Sequence, residues 1–190
     1  STIGGLTIQT GVNVEIAESI DLYMRYGMVV APGASLTLEP SVHVYGELSS
    51  DSKLVVRGTL TAEATSDADR IVFTSASATP ASGNWVGIDF VAGSSGSLRY
   101  VTVEYAGGQI DGAGVVTAGV MTSSSPVLDH VVVRHVANID PNTISDLGDG
   151  QAAGILIRDE GAPIITNCLI EGAETWGVYH KSSQNISLIG

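Results

Sequence analysis

Cysteine occurs once in this 190-residue chain, so no internal disulfide can form. The lone Cys168 is expected to be a small core residue rather than a reactive thiol. Basic residues are also scarce: 8 Lys and Arg stand against 20 Asp and Glu, a formal net charge of −12. Phosphate contacts need a basic face, which argues against a nucleic-acid partner. No run of about 18 apolar residues occurs, so no membrane insertion is expected. No basic segment opens the chain, so no secretory signal is visible in it. Charged residues make up only 15% against 44% hydrophobic, and that balance argues against disorder. The histidines, His43, His130, His135 and His180, show none of the spacings of a zinc site.

What is present is a repeat. The stretch from Trp85 to Ala106 (WVGIDFVAGSSGSLRYVTVEYA) reads as strand, small-residue turn, strand. Related units begin at Thr117, Ala152 and Trp176. They align on Gly87, Gly119, Gly154 and Gly177, each followed by an apolar residue: Ile88, Val120, Ile155, Val178. In the first three units Leu98, Leu128 and Ile165 share a column. So do Val101, Val131 and Cys168, and Val103, Val133 and Ile170. Alternation along a strand places the last two columns in the interior. One such unit cannot bury its own apolar face; it must stack on a neighbour, and strands recurring in one direction must pair in parallel.

The first half carries shorter strands. Leu6–Gln9, Val12–Ile16 and Leu22–Tyr26 are expected to open it. Met28–Val30, Leu36–Leu38 and Val42–Val44 follow, separated by corners at Pro32 and Pro40, which lack the amide donor a paired strand needs. Leu54–Val56, Leu60–Ala62 and Ile71–Phe73 repeat the scheme. The expected fold is all-β: a right-handed parallel β-helix of about seven coils with three short strands per coil, a single domain over residues 1–190. Insertions over 107–116 and 137–151 are expected at one corner. The final strand from Ile186 ends without a cap, so the chain is expected to be part of a longer protein.

The succession PGASLTLEPSVHVYG, KLVVRGTLTAEATSDADRIVFTS, NWVGIDF and SLRYVTVEYAGG resembles bacterial right-handed parallel β-helix repeat proteins over roughly residues 28–190. Many of these are large secreted or surface-anchored proteins. The resemblance implies a solenoid in an extracellular or cell-surface setting. It leaves activity open, because such proteins include adhesin-like stalks as well as polysaccharide lyases and hydrolases.

Outward columns are where a site is sought. Tyr100, His130 and Asn167 form one, with Asp129 and Arg99 beside them, and these residue types suit sugar binding. Asp129 and Arg99 are the candidates for catalysis, but alternation sends Asp129 and His130 to opposite faces, which argues against one shared groove. Met121, Leu156 and Tyr179, in a column with Asp89, are expected to form an exposed apolar binding patch or to lie under an insertion. Glu104, Arg134 and Glu171 read as a surface ion-pair row. Asp140, Asn142, Asp146 and Asp149 offer oxygen ligands that suit Ca²⁺, but Ile144 breaks the EF-hand spacing, and an ordinary solvated loop is expected. Trp85 and Trp176 are expected at core or corner positions. An ice-binding face would need threonine ladders, and Thr37, Thr61 and Thr102 do not recur coil after coil in the sequence.

The function expected is a non-catalytic structural or adhesive module, binding a surface glycan or a protein and needing no cofactor. A polysaccharide lyase or glycoside hydrolase is the alternative, and would need paired carboxylates or a Ca²⁺ cluster. End-to-end self-association through unpaired strand edges is a further one.

Overall fold

The computed structural model describes residues 5–48, 52–108, 118–137, 153–173 and 176–189. Its strands follow one another coil by coil. The first coil holds β1 (Leu6–Ile8), β2 (Asn13–Ile16) and β3 (Asp21–Met24), and the second β4 (Met28–Val30), β5 (Ser35–Leu38) and β6 (His43–Gly46). The third holds β7 (Lys53–Val56), β8 (Thr59–Glu63) and β9 (Ile71–Ser75), and the fourth β10 (Gly87–Phe90), β11 (Ser95–Arg99) and β12 (Val101–Glu104). The fifth holds β13 (Ala118–Thr122), β14 (Val127–Asp129) and β15 (Val132–Val136), and the sixth β16 (Ala153–Ile157), β17 (Ile164–Thr166) and β18 (Leu169–Ala173). Strands β19 (Trp176–His180) and β20 (Ser187–Ile189) follow. Every pairing is parallel and joins a strand to its equivalent one coil away, giving two seven-stranded sheets and one six-stranded sheet. The fold is a right-handed parallel β-helix with three strands per coil.

Three of the expected columns are register partners. Ile88, Val120, Ile155 and Val178 are consecutive in the first sheet. Leu98, Leu128 and Ile165 are consecutive in the second. Val103, Val133 and Ile170 are consecutive in the third. Their side chains, with Leu36, Leu54, Leu60 and Phe73, fill one continuous core along the axis. Cys168 packs against that core half-buried, and burial pushes its thiol pKa up, as suits an inert side chain. Trp85 is also a core residue: its ring stacks on Phe73 with centroids 6.4 Å apart, and its Nε1 donates to the Glu104 carbonyl at 2.8 Å.

Two of the four aligned glycines are held by side-chain crowding: a Cβ at Gly119 would run into Val133, and one at Gly154 into Ile170. At Gly87 the obstacle is the Ala118 carbonyl, whereas a Cβ at Gly177 would meet only an ordinary contact.

The outer faces differ from sheet to sheet. On the second sheet, Ser35, Thr59 and Ser95 form one column and Thr37, Thr61 and Ser97 another. Thr37 and Thr61 stack, but their column runs Glu15, Thr37, Thr61, Ser97, and Thr102 lies on the third sheet, so these threonines do not recur coil after coil. Thr59 Oγ1 and Ser95 Oγ lie 3.0 Å apart, and Ser35 Oγ donates to Asn13 Oδ1 at 2.7 Å. They brace coil to coil. On the first sheet, Met121 and Leu156 stack in register between Asp89 and Tyr179, as expected. They are not an exposed patch, however. Met121 is 1% exposed and Leu156 3%, within a second apolar cluster with Val86, Ala118 and Ala153, against which Tyr179 packs. Strands β13 and β16 are buried on both faces, so alternation alone could not mark that column as outside. The insertions lie largely outside the described residues, and the Ca²⁺ candidates Asp140, Asn142, Asp146 and Asp149 lie wholly outside them.

Candidate functional site

Five of the eight residues expected at a site meet at one corner, where the second sheet turns into the third. Each turn there is a single residue in the left-handed region: Tyr100 at φ 49°, His130 at 54° and Asn167 at 53°. Non-glycine residues adopt this conformation at some cost, Asn and His more readily than most. Backbone bonds to the next coil hold it. Tyr100 N donates to the Asp129 carbonyl at 3.1 Å, His130 N to the Thr166 carbonyl at 3.1 Å, and Asn167 N to the Ile189 carbonyl at 2.9 Å.

Side chains then pile up along the corner. The Tyr100 and His130 rings stack with centroids 4.4 Å apart. Two guanidinium carbons, from Arg70 and Arg99, each lie 5.7 Å from the Tyr100 ring centre. Arg70 also donates through Nη1 to the carbonyls of Val101 at 3.1 Å and His130 at 2.8 Å, which ties the third, fourth and fifth coils together.

Asp129 is the centre of this cluster. Its Oδ1 lies 2.9 Å from His130 Nδ1 and accepts from Thr166 Oγ1 at 2.9 Å and Asn167 Nδ2 at 3.1 Å. Its Oδ2 lies 3.4 Å from Arg99 Nε. The expectation that Asp129 and His130 diverge is therefore corrected. Strand alternation stops at the left-handed residue, and the turn swings the imidazole back onto its neighbour's carboxylate. Partial burial opposes ionisation of Asp129. The hydrogen bonds from Asn167, Thr166 and His130 outweigh it and hold the carboxyl below its usual value.

The chemistry open to this arrangement is limited. A general base works best with a pKa near the operating pH and a lone pair aimed at the substrate. Asp129 is held ionised, with both oxygens engaged. No hydroxyl or thiol is hydrogen-bonded to His130 among the described residues, so no nucleophile and base pair forms there. No three His, Cys, Asp or Glu side chains come together as a metal site among those residues either.

Two arrangements escaped the sequence reading. Asp89, with 6% of its side chain exposed, is bonded to Lys53 Nζ at 3.2 Å and to Arg158 Nη2 at 2.6 Å, linking the third, fourth and sixth coils. On the third sheet, Tyr23 and Tyr45 stack with centroids 4.8 Å apart. The signal was a 22-residue offset: Asp21-Leu22-Tyr23 pairs in register with His43-Val44-Tyr45. The expected row Glu104, Arg134 and Glu171 is in register on that same sheet, and Arg134 Nε reaches Glu104 Oε2 at 2.7 Å.

The chain matches no protein-family model, no curated protein and no solved structure. No helix is long and apolar enough to cross a membrane among the described residues.

Proposed function

We propose that this chain is a non-catalytic structural and adhesive module of a secreted or cell-surface protein, with binding of a glycan or protein partner on the outside of the solenoid. The observation that carries this reading is the state of Asp129. The best-placed carboxylate among the expected site residues is committed to four neighbouring side chains and serves as a brace between coils. A solenoid braced in this way keeps its core inside and its sheet faces outside, which suits display rather than turnover.

The test is incubation of the protein with a panel of acidic and neutral polysaccharides, with reducing ends and unsaturated uronate absorbance followed over time. No chain cleavage is expected. Cleavage that disappears in Asp129→Ala would reject the proposal in favour of a lyase or hydrolase.

A further inference from the structure

The tyrosine stack of the first two coils has no role in the core. Tyr23 is 61% exposed, although it is one of the larger side chains of the sheet. One side of its ring stacks on Tyr45, with an interplanar angle of 15°. Two residues away along the strands lie Asp21 and His43 on one side, 3.8 Å apart, and Arg25 and Glu47 on the other, 3.1 Å apart. Tyr26 stands nearby, 39% exposed, and a cavity of about 470 Å³ opens among Leu22, Tyr23, Arg25, Tyr26 and Glu47.

The protein shows elsewhere what such a stack accepts. Tyr100, stacked in the same manner on the residue one coil away, carries guanidinium groups from both Arg70 and Arg99. Tyr23 has no cation over its ring among the described residues. The surroundings favour one: residues 5–48 hold five carboxylates, Glu15, Glu18, Asp21, Glu39 and Glu47, against the single guanidinium of Arg25. Arg25 already donates to both oxygens of Glu47, whereas Asp21, with 57% of its side chain exposed, makes among the described residues only a long contact, 3.8 Å, to His43. An aromatic face beside an exposed carboxylate is the setting in which a guanidinium gains both stacking and an ion pair.

We propose that the Tyr23 face is a docking site for an arginine-bearing segment of a partner protein, one guanidinium lying on the Tyr23 ring and pairing with Asp21. This names a partner class for the adhesive reading and rests on it. The two are tested apart, because polysaccharide cleavage would overturn that reading without touching this one.

The experiment titrates the protein with two fluorescent peptides of equal length and charge, one bearing arginine and one lysine, followed by anisotropy at low and high salt. The arginine peptide is expected to bind roughly three- to fivefold more tightly than the lysine peptide, and both are expected to weaken as salt rises. Tyr23→Leu is expected to abolish the preference for arginine, Tyr23→Phe to retain it, and Asp21→Asn to weaken the arginine peptide. Tyr23 lies outside the core, so an unchanged far-ultraviolet spectrum is expected and serves as the folding control. Equal binding of both peptides, unaffected by Tyr23→Leu, would show only a diffuse acidic surface and overturn the proposal. So would absence of peptide binding, or a neutral oligosaccharide that binds and is lost in Tyr23→Leu.

Discussion

Val133 fills the space that a side chain at Gly119 would need: a Cβ on Gly119 would lie 2.5 Å from Val133 Cγ1. Both residues belong to the fifth coil, on different sheets, and Val133 is fully buried. Gly119→Ala should therefore cost about 1–3 kcal/mol through overpacking. Urea denaturation of Gly119→Ala, Val133→Ala and the double variant checks it. The double variant should be more stable than the sum of the two losses allows, because shortening Val133 relieves the clash. Strict additivity would show that the two side chains do not compete for this space.

Asp129 gives the acid response a definite sign. Its folded pKa is lowered, so the stability it contributes is present above the unfolded carboxylate value, about 3.9. That stability is lost as pH falls through the folded value. Asp129→Asn should cost about 1 kcal/mol near neutrality and flatten the acid limb of the stability profile. Denaturation midpoints at a series of pH values, variant beside wild type, measure this. Two parallel acid limbs would remove Asp129 from the account.

Asp89 is the more buried charge. Removing it leaves Lys53 and Arg158 without their shared partner. Breaking a fully buried pair costs about 3–5 kcal/mol, but Lys53 and Arg158 retain some solvent access, so Asp89→Asn is expected to cost less than that range, about 2 kcal/mol. Thermal unfolding at low and high salt checks this. A loss that salt does not reduce fits a pair shielded from solvent, whereas no loss would make the contact incidental.

The two tryptophans should report separately. Trp85 is 1% exposed and Trp176 46%. Acrylamide should quench Trp176→Phe, which keeps only the buried ring, far less than the wild type. Its emission should also lie to the blue. Strong quenching of that variant would place Trp85 outside the core.

The sequence made some of these relationships readable and hid others. The inward residues Val101, Val103, Val131 and Val133 were legible because alternation is a local property of extended backbone and each coil repeats it. The corner was not. Tyr100, His130 and Asn167 look like further strand residues until their positive φ is known, and nothing in Tyr or His announces that conformation as a glycine would. The burial of Met121 and Leu156 was hidden for a different reason. An apolar residue on an outer face reads alike whether or not something covers it.

The sequence by itself determined the parallel solenoid, its coil-by-coil core and the glycine column, because these follow from short periodicities that each repeat states again. Only the tertiary structure decided which polar groups meet. Asp129 with His130, Asp89 with Lys53 and Arg158, and Tyr23 with Tyr45 depend on coil register and on the angle of a single corner residue. Distances across coils are set by stacking rather than by neighbours in the chain.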